Sequence, residues 1–112
     1  MREKTVEDFL VDMVESTGGL CLKFVSPGRR NVPDRLCIIP KTHPFFVEVK
    51  APNKEPRDAQ WREIYRLRER NANAYVVDCK NDVMRVLQIE LHQPKVRRKV
   101  SFEDWRMREK FI

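Results

Sequence analysis

Four consecutive apolar residues, Leu36, Cys37, Ile38 and Ile39, lie a short turn ahead of the alternating stretch Phe45-Phe46-Val47-Glu48-Val49-Lys50. These two stretches restrict the fold more than anything else in the chain. A continuous apolar run reads as a strand buried on both faces. In the second strand, alternation places Phe46, Glu48 and Lys50 on one face and Phe45, Val47 and Val49 on the other. A strand buried in a sheet has little reason to end in Glu-Val-Lys unless those charges have partners. The first strand opens on another acid, in Pro33-Asp34.

The remaining elements arrange themselves around this pair. Over residues 5–17, Val6, Phe9, Leu10, Met13 and Val14 recur with helical spacing. Thr5 and Asp8 resemble a capping box, and Gly18-Gly19 supplies a left-handed exit. A strand follows over residues 20–25, then a loop over 26–33 broken by two prolines and a glycine. The strands of the pair run over residues 34–40 and 45–50. A second helix spans residues 59–70 with Asp58 as N-cap. Trp61, Ile64, Tyr65, Leu67 and Arg68 form its mixed apolar stripe, and Arg62, Glu63, Arg66, Glu69 and Arg70 cover the rest. Residues 74–77 read as a fourth strand, which the intervening helix makes parallel to the third. Asn81 can cap a third helix over residues 82–92, although residues 85–89 also fit a strand. A basic run over residues 95–99 and an amphipathic end helix over 101–112 complete the chain. The order predicts a small α/β fold, helix, three strands, helix, strand and a helical end, on a mixed sheet. We expect one domain over residues 1–112, with 93–112 as a basic tail.

Length and charge narrow the function. At 112 residues the chain suits one modest domain. No apolar run approaches the roughly 20 residues that span a membrane, and the N-terminus lacks the apolar segment of a signal peptide; the expected address is cytoplasmic, in a bacterial or phage-infected cell. Cys21, Cys37 and Cys79 lack the spacing of a zinc site and read as buried thiols. A net charge of +6 favours a polyanionic partner such as nucleic acid.

Asp34, Glu48 and Lys50 carry the chemistry. A hard divalent cation takes oxygen ligands and keeps several waters, so two carboxylates suffice, with phosphate completing the shell. The Val49 backbone carbonyl offers a third oxygen. Lys50, beside the ion, can orient water and offset charge developing on a phosphorane. Geometry raises a difficulty. A turn centred between Thr42 and His43 sets Asp34 opposite Ala51 and leaves Glu48 offset by about three residues, roughly 10 Å. A bulge, a bent strand or an asymmetric turn must close that gap. Gln60, in the first turn of the second helix, either points back over the strand ends or is an ordinary first-turn residue. Arg29 and Arg30 are either a solvated basic loop or phosphate contacts. On its helix alone, Glu7 reads as an acid favoured by the helix dipole.

Together, Gly18-Gly19, Lys23, Ser26-Pro27-Gly28-Arg29-Arg30, Val32-Pro33-Asp34-Arg35, Phe46-Val47-Glu48-Val49-Lys50-Ala51-Pro52 and Gln60 resemble the virus-type replication–repair nuclease (VRR-NUC) family. That family belongs to the PD-(D/E)XK nuclease superfamily. The resemblance covers about residues 5–83 and implies the restriction-endonuclease-like core of helix, three strands, helix, strand. It also implies Mg²⁺- or Mn²⁺-dependent hydrolysis of DNA phosphodiesters, with no small-molecule cofactor. By position, Asp34 and Glu48 match the metal ligands, with the Val49 carbonyl beside them. Lys50 matches the catalytic lysine, Gln60 the helix glutamine, and Glu7 an acid that closes the site. Lys23, Ser26, Arg29, Arg30, Arg35 and Lys54 are the expected DNA contacts. Asn31 departs from the family glycine before Val-Pro-Asp, and asparagine tolerates the left-handed backbone a retained turn requires.

Small stand-alone members of the family resemble homodimeric enzymes that resolve four-way (Holliday) DNA junctions. The resemblance thus implies a structure-selective DNA endonuclease of repair and recombination. The alternatives are a nuclease for flaps or single strands, and a non-catalytic nucleic-acid-binding module on the same fold.

Overall fold

The computed structural model describes residues 1–92; the basic run and end helix expected over 95–112 lie outside the described residues. Helix α1 spans Glu3–Ser16, followed by strands β1 (Leu20–Lys23), β2 (Arg35–Ile38) and β3 (Phe45–Val49). Helix α2 (Asp58–Glu69) then leads to β4 (Asn73–Val77) and α3 (Lys80–Leu91). The four strands form one sheet in the order β1-β2-β3-β4. The first two pairings are antiparallel and β3 runs parallel to β4. The mixed sheet and the element order agree with the sequence.

The sheet carries helices on both faces. On one, Val6, Leu10 and Val14 of α1 and Val83, Val86 and Leu87 of α3 pack on Phe45, Val47, Val49, Tyr75 and Val77. On the other, Ile64 of α2 packs on Ala74 and Val76, with Phe46, Trp61 and Leu67 at the margin. Glu48 lies on the α2 face because its neighbours Val47 and Val49 point to the opposite core. Removing apolar area from water on two faces is the main stabilising term in a domain this small.

Helix ends differ from expectation in instructive ways. Helix α1 starts two residues before Thr5, and Arg2 rather than Thr5 holds the N-cap position. Gly18 takes the predicted left-handed turn at φ +83°. At Gly19 a Cβ would lie 2.6 Å from the Ile38 carbonyl, so the missing side chain lets the helix exit press against β2. Helix α2 has Arg57 at its N-cap, and Asp58 is its first residue. Helix α3 is capped at Cys79 rather than Asn81. Residues 85–89 are helical because Val83, Val86, Leu87 and Glu90 share a buried face, a 3.6-residue rather than a two-residue repeat.

The last strand in the order, β4, is buried along its whole length. The Lys50 N–H donates to the Val77 carbonyl, so Val77 faces β3 and Ala74, three residues back, faces away. Arg68, only 1% exposed, donates its Nε–H to that outward Ala74 carbonyl at 2.9 Å. A side chain thus occupies a backbone acceptor that would otherwise offer itself to another strand.

Candidate active site

Register decides whether Asp34 and Glu48 can share a ligand. In the β2–β3 pair, Arg35 lies opposite Val47, Leu36 opposite Phe46 and Cys37 opposite Phe45. One further step sets Asp34 across from Glu48. The turn is therefore not centred between Thr42 and His43, and Asp34 does not face Ala51. The reversal centres on Lys41, whose φ of +67° supplies a left-handed residue at the apex. An asymmetric connection, with no break among the three pairs, closes the gap.

Asp34 is fixed at the mouth of β2. Its Oδ2 accepts the Val49 N–H at 2.8 Å. In an extended strand the N–H and C=O of one residue point to the same side, so the Val49 carbonyl also faces Asp34. Just upstream, Asn31 holds φ +64°, the left-handed turn expected where the family has glycine. Burial raises the Asp34 carboxyl above its ordinary value, partly offset by the Val49 N–H.

Glu48 is 2% exposed. Its Oε2 accepts from Gln60 Nε2 at 2.9 Å and lies 3.4 Å from Lys50 Nζ. The same-face placement of Glu48 and Lys50 is thus a direct ion pair, with Lys50 itself 17% exposed. Burial first, and the Asp34 charge second, push the Glu48 carboxyl up to about 7, against the pull of Lys50. A buried acid beside a half-buried one cannot ionise together with it cheaply without a cation between them.

Gln60 links this pair to α2. Its Oε1 accepts the Arg57 N–H at 2.9 Å, capping the helix, while its amide donates to Glu48. Arg57 in turn reaches Asn31 Oδ1 at 3.4 Å. Sequence reasoning passed over Arg57.

Glu7 approaches from the opposite face. Its Oε2 accepts from Arg35 Nε at 2.8 Å, and Arg35 also donates to the Cys21 carbonyl at 3.1 Å. Arg35 is the residue after Asp34, so Glu7 lies near enough to oppose ionisation of Asp34. Arg35 itself is only 13% exposed and engaged in the fold.

The structure therefore brings Asp34, Glu48, Val49, Lys50 and Gln60 together, with Glu7 adjacent. The basic residues are spread more widely. Lys23, Arg30 and Lys54 are exposed. Arg29 donates to Glu63 at 2.6 Å, and Ser26 and Arg29 line a cavity beside α2. Glu63, expected on the solvated face, is 6% exposed and held also by Arg66 at 2.5 Å. Arg29 holds its carboxyl below the usual range. The i, i+3 spacing of Glu63 and Arg66 was the available signal.

The donor set fits a hard divalent cation. Asp34 and Glu48 each use one oxygen on protein donors, and among the described residues their second oxygens have none. With the Val49 carbonyl these make an all-oxygen set. A second cluster, Asp78, Cys79 and Asp82, has ligand atoms within 4.8 Å of one another. Its oxygens serve the backbone: Asp78 accepts the Asn53 N–H at 3.0 Å and Asp82 the Asp78 N–H at 3.1 Å. Those bonds tie the loop after β3 to the start of α3.

No protein-family model matches the sequence. Over 81 residues, 72% of this chain and 87% of the relative, it is 44% identical to the "Putative nuclease p44" of Acyrthosiphon pisum secondary endosymbiont phage 1. A solved structure described as a VRR_NUC domain superposes with a TM-score of 0.72 at 36% identity, covering 77% of this chain and 94% of that one. With the carboxylate pair, the lysine and the helix glutamine placed on this sheet, the chain belongs to the VRR-NUC family.

Proposed function

We propose that the chain is a Mg²⁺- or Mn²⁺-dependent endonuclease that hydrolyses phosphodiester bonds in branched DNA and acts as a homodimer on four-way junctions. The observation that carries this reading is Asp34 facing Glu48 across adjacent strands, with Lys50 Nζ 3.4 Å from Glu48. Asp34, Glu48 and the Val49 carbonyl would hold the ion. When bound, it supplies Lewis-acid polarisation of the phosphate and a more acidic water.

The chain's own residues do the rest. Lys50 orients the attacking water and offsets negative charge that builds on the phosphoryl oxygens in the transition state. Gln60 fixes the rotamer of Glu48, as a group supporting a ligand must. Glu7, held by Arg35, closes the α1 side of the site. Lys23, Ser26, Arg29, Arg30 and Lys54 contact backbone phosphates, positioning DNA without reading its bases. Arg35 acts from within the fold, at the margin of that surface.

A net charge of +6 supports a DNA partner, since neutralised phosphates release counterions. Two symmetric cuts at a four-way junction need two active sites, which a two-fold dimer provides. No helix among the described residues is long and apolar enough to cross a membrane. The three free cysteines suit a reducing compartment, and we place the activity in the cytoplasm of a bacterial or phage-infected cell.

The test is a cleavage panel of labelled four-way junctions, flaps, nicked duplex and single strands with Mg²⁺ and Mn²⁺, alongside a solution mass measurement. The expected result is metal-dependent nicking strongest on the junction, by a protein of twice the monomer mass. Salt-sensitive DNA binding without nicking at any pH or metal would replace the nuclease with a non-catalytic binding module.

A further inference from the structure

Beside the carboxylate pair, on the same face of the sheet, lies a cavity of about 240 Å³ whose apolar floor the nuclease reading leaves unassigned, although Ser26 and Arg29, already given to backbone phosphate, stand in its lining. Its floor is apolar: Phe24, Val32 and Leu67. Its rim is basic, with Arg66 in the last turn of α2 and Arg70 just past the helix end. One wall is prebuilt, because the buried Glu63 is clamped between Arg29 and Arg66. Three guanidiniums against one carboxylate leave that wall with positive charge to spare.

The cavity adjoins the site through each of its walls. The Phe24 N–H donates to the Asp34 carbonyl at 2.9 Å. The Phe24 ring lies 5.2 Å from the ring of Phe46, two residues before Glu48 on β3. Glu63 follows Gln60 by one turn of α2. Val32 precedes Asp34 by two residues. The opening therefore adjoins the residues that would hold the strand being cut.

We infer that the cavity receives one unpaired nucleotide of the DNA strand being cut, its base against Phe24 and Leu67 and its phosphate against Arg66 and Arg70. This inference rests on the nuclease reading and deepens it. Cavities for drug-sized ligands run to roughly 300–1,000 Å³, so this one suits a single planar base. Stacking on an aromatic ring accepts any base and needs no sequence code. Extruding a nucleotide is cheapest where it is already unpaired. A fully stacked duplex fills the cavity only after unstacking a base, whereas a bulge or branch point fills it at once. The cavity therefore makes the enzyme select DNA by structure.

The test uses two duplexes identical except for one extra, unpaired 2-aminopurine nucleotide. In EDTA, wild-type protein should bind the bulged duplex about tenfold more tightly, as one stacked base contributes, with quenched 2-aminopurine fluorescence. Leu67→Trp fills the cavity and should abolish both the preference and the quenching. Arg70→Ala, at an exposed position that leaves the core intact, should reduce the preference severalfold and decides the matter if Leu67→Trp fails to fold. Equal wild-type affinity for the two duplexes, or variants that keep the wild-type preference, would overturn the inference. Adding Mg²⁺ or Mn²⁺ separates it from the nuclease reading. A bulge preference with no cleavage of either duplex would sink the nuclease and leave the cavity assignment standing.

Discussion

Gln60 donates to the buried Glu48 carboxylate at 2.9 Å while its own carbonyl caps helix α2 through the Arg57 N–H, also at 2.9 Å. One amide therefore sets both where α2 begins and which way the acid points. Gln60→Ala should lower metal affinity or cleavage by about 10- to 100-fold, the usual cost of losing a group that orients a ligand. It should also lower stability by about 1 kcal/mol through the lost cap. Gln60→Glu can still accept from Arg57 but sets a second carboxylate against Glu48, so its melting point should recover more than its cleavage. Metal titration by calorimetry alongside thermal melts separates the two effects.

Removing either end of the charge constellation should stop chemistry without removing DNA. For Asp34→Ala and Lys50→Ala we expect single-turnover cleavage to fall by at least about 100-fold, the scale of a lost electrostatic stabiliser. Junction affinity should stay within severalfold. A variant of either kind that cuts at the native rate removes the assigned role.

Glu48 gives the metal-free protein a pH signature. Its folded-state value is raised from 4.5 to about 7, so the folded protein holds this proton more tightly than the unfolded chain. That contribution to stability is fully present below about pH 4.5 and is lost as pH rises to 7. In EDTA this component should fall by on the order of 3 kcal/mol across the window. Glu48→Gln should flatten it, and a divalent ion should restore stability increasingly at higher pH. Urea denaturation at a series of pH values, with and without Mg²⁺, measures all three.

Arg68 should matter to the fold and not to the reaction. Arg68→Met keeps the aliphatic volume but leaves the outward Ala74 carbonyl without this donor. A buried acceptor stripped of its partner costs about 1–3 kcal/mol. The melting point should fall and aggregation on heating should rise, with cleavage per folded molecule unchanged.

Much of this was legible in the residues. The alternation of Phe45 to Lys50 and the continuous run of Leu36 to Ile39 located the two strands that build the site, and the intervening helix made β3 and β4 parallel. Registration was not legible, because it depends on the left-handed Lys41, a conformation that its side chain does not advertise. The burial of Glu63 and Arg68 was only half legible: Arg68 falls on the apolar stripe of α2 and Glu63 has Arg66 at i+3, yet neither spacing names the partner that buries it. Both are charged residues on a helix rich in charge, and only the loop carrying Arg29 and the edge of β4 turn them into buried partners. Helix starts slipped by one or two residues wherever a backbone position, rather than a short polar side chain, made the cap.

The Lys41 hairpin lies at the far end of the β2–β3 ladder from Asp34 and Glu48, yet its length acts as their gauge. Because facing is set by parity along a strand, deleting or adding one residue within 39–44 would slide Asp34 past Glu48 or turn one acid to the wrong side of the sheet. Surface loops ordinarily tolerate changes in length; a change in this one would be felt by two carboxylates it never touches.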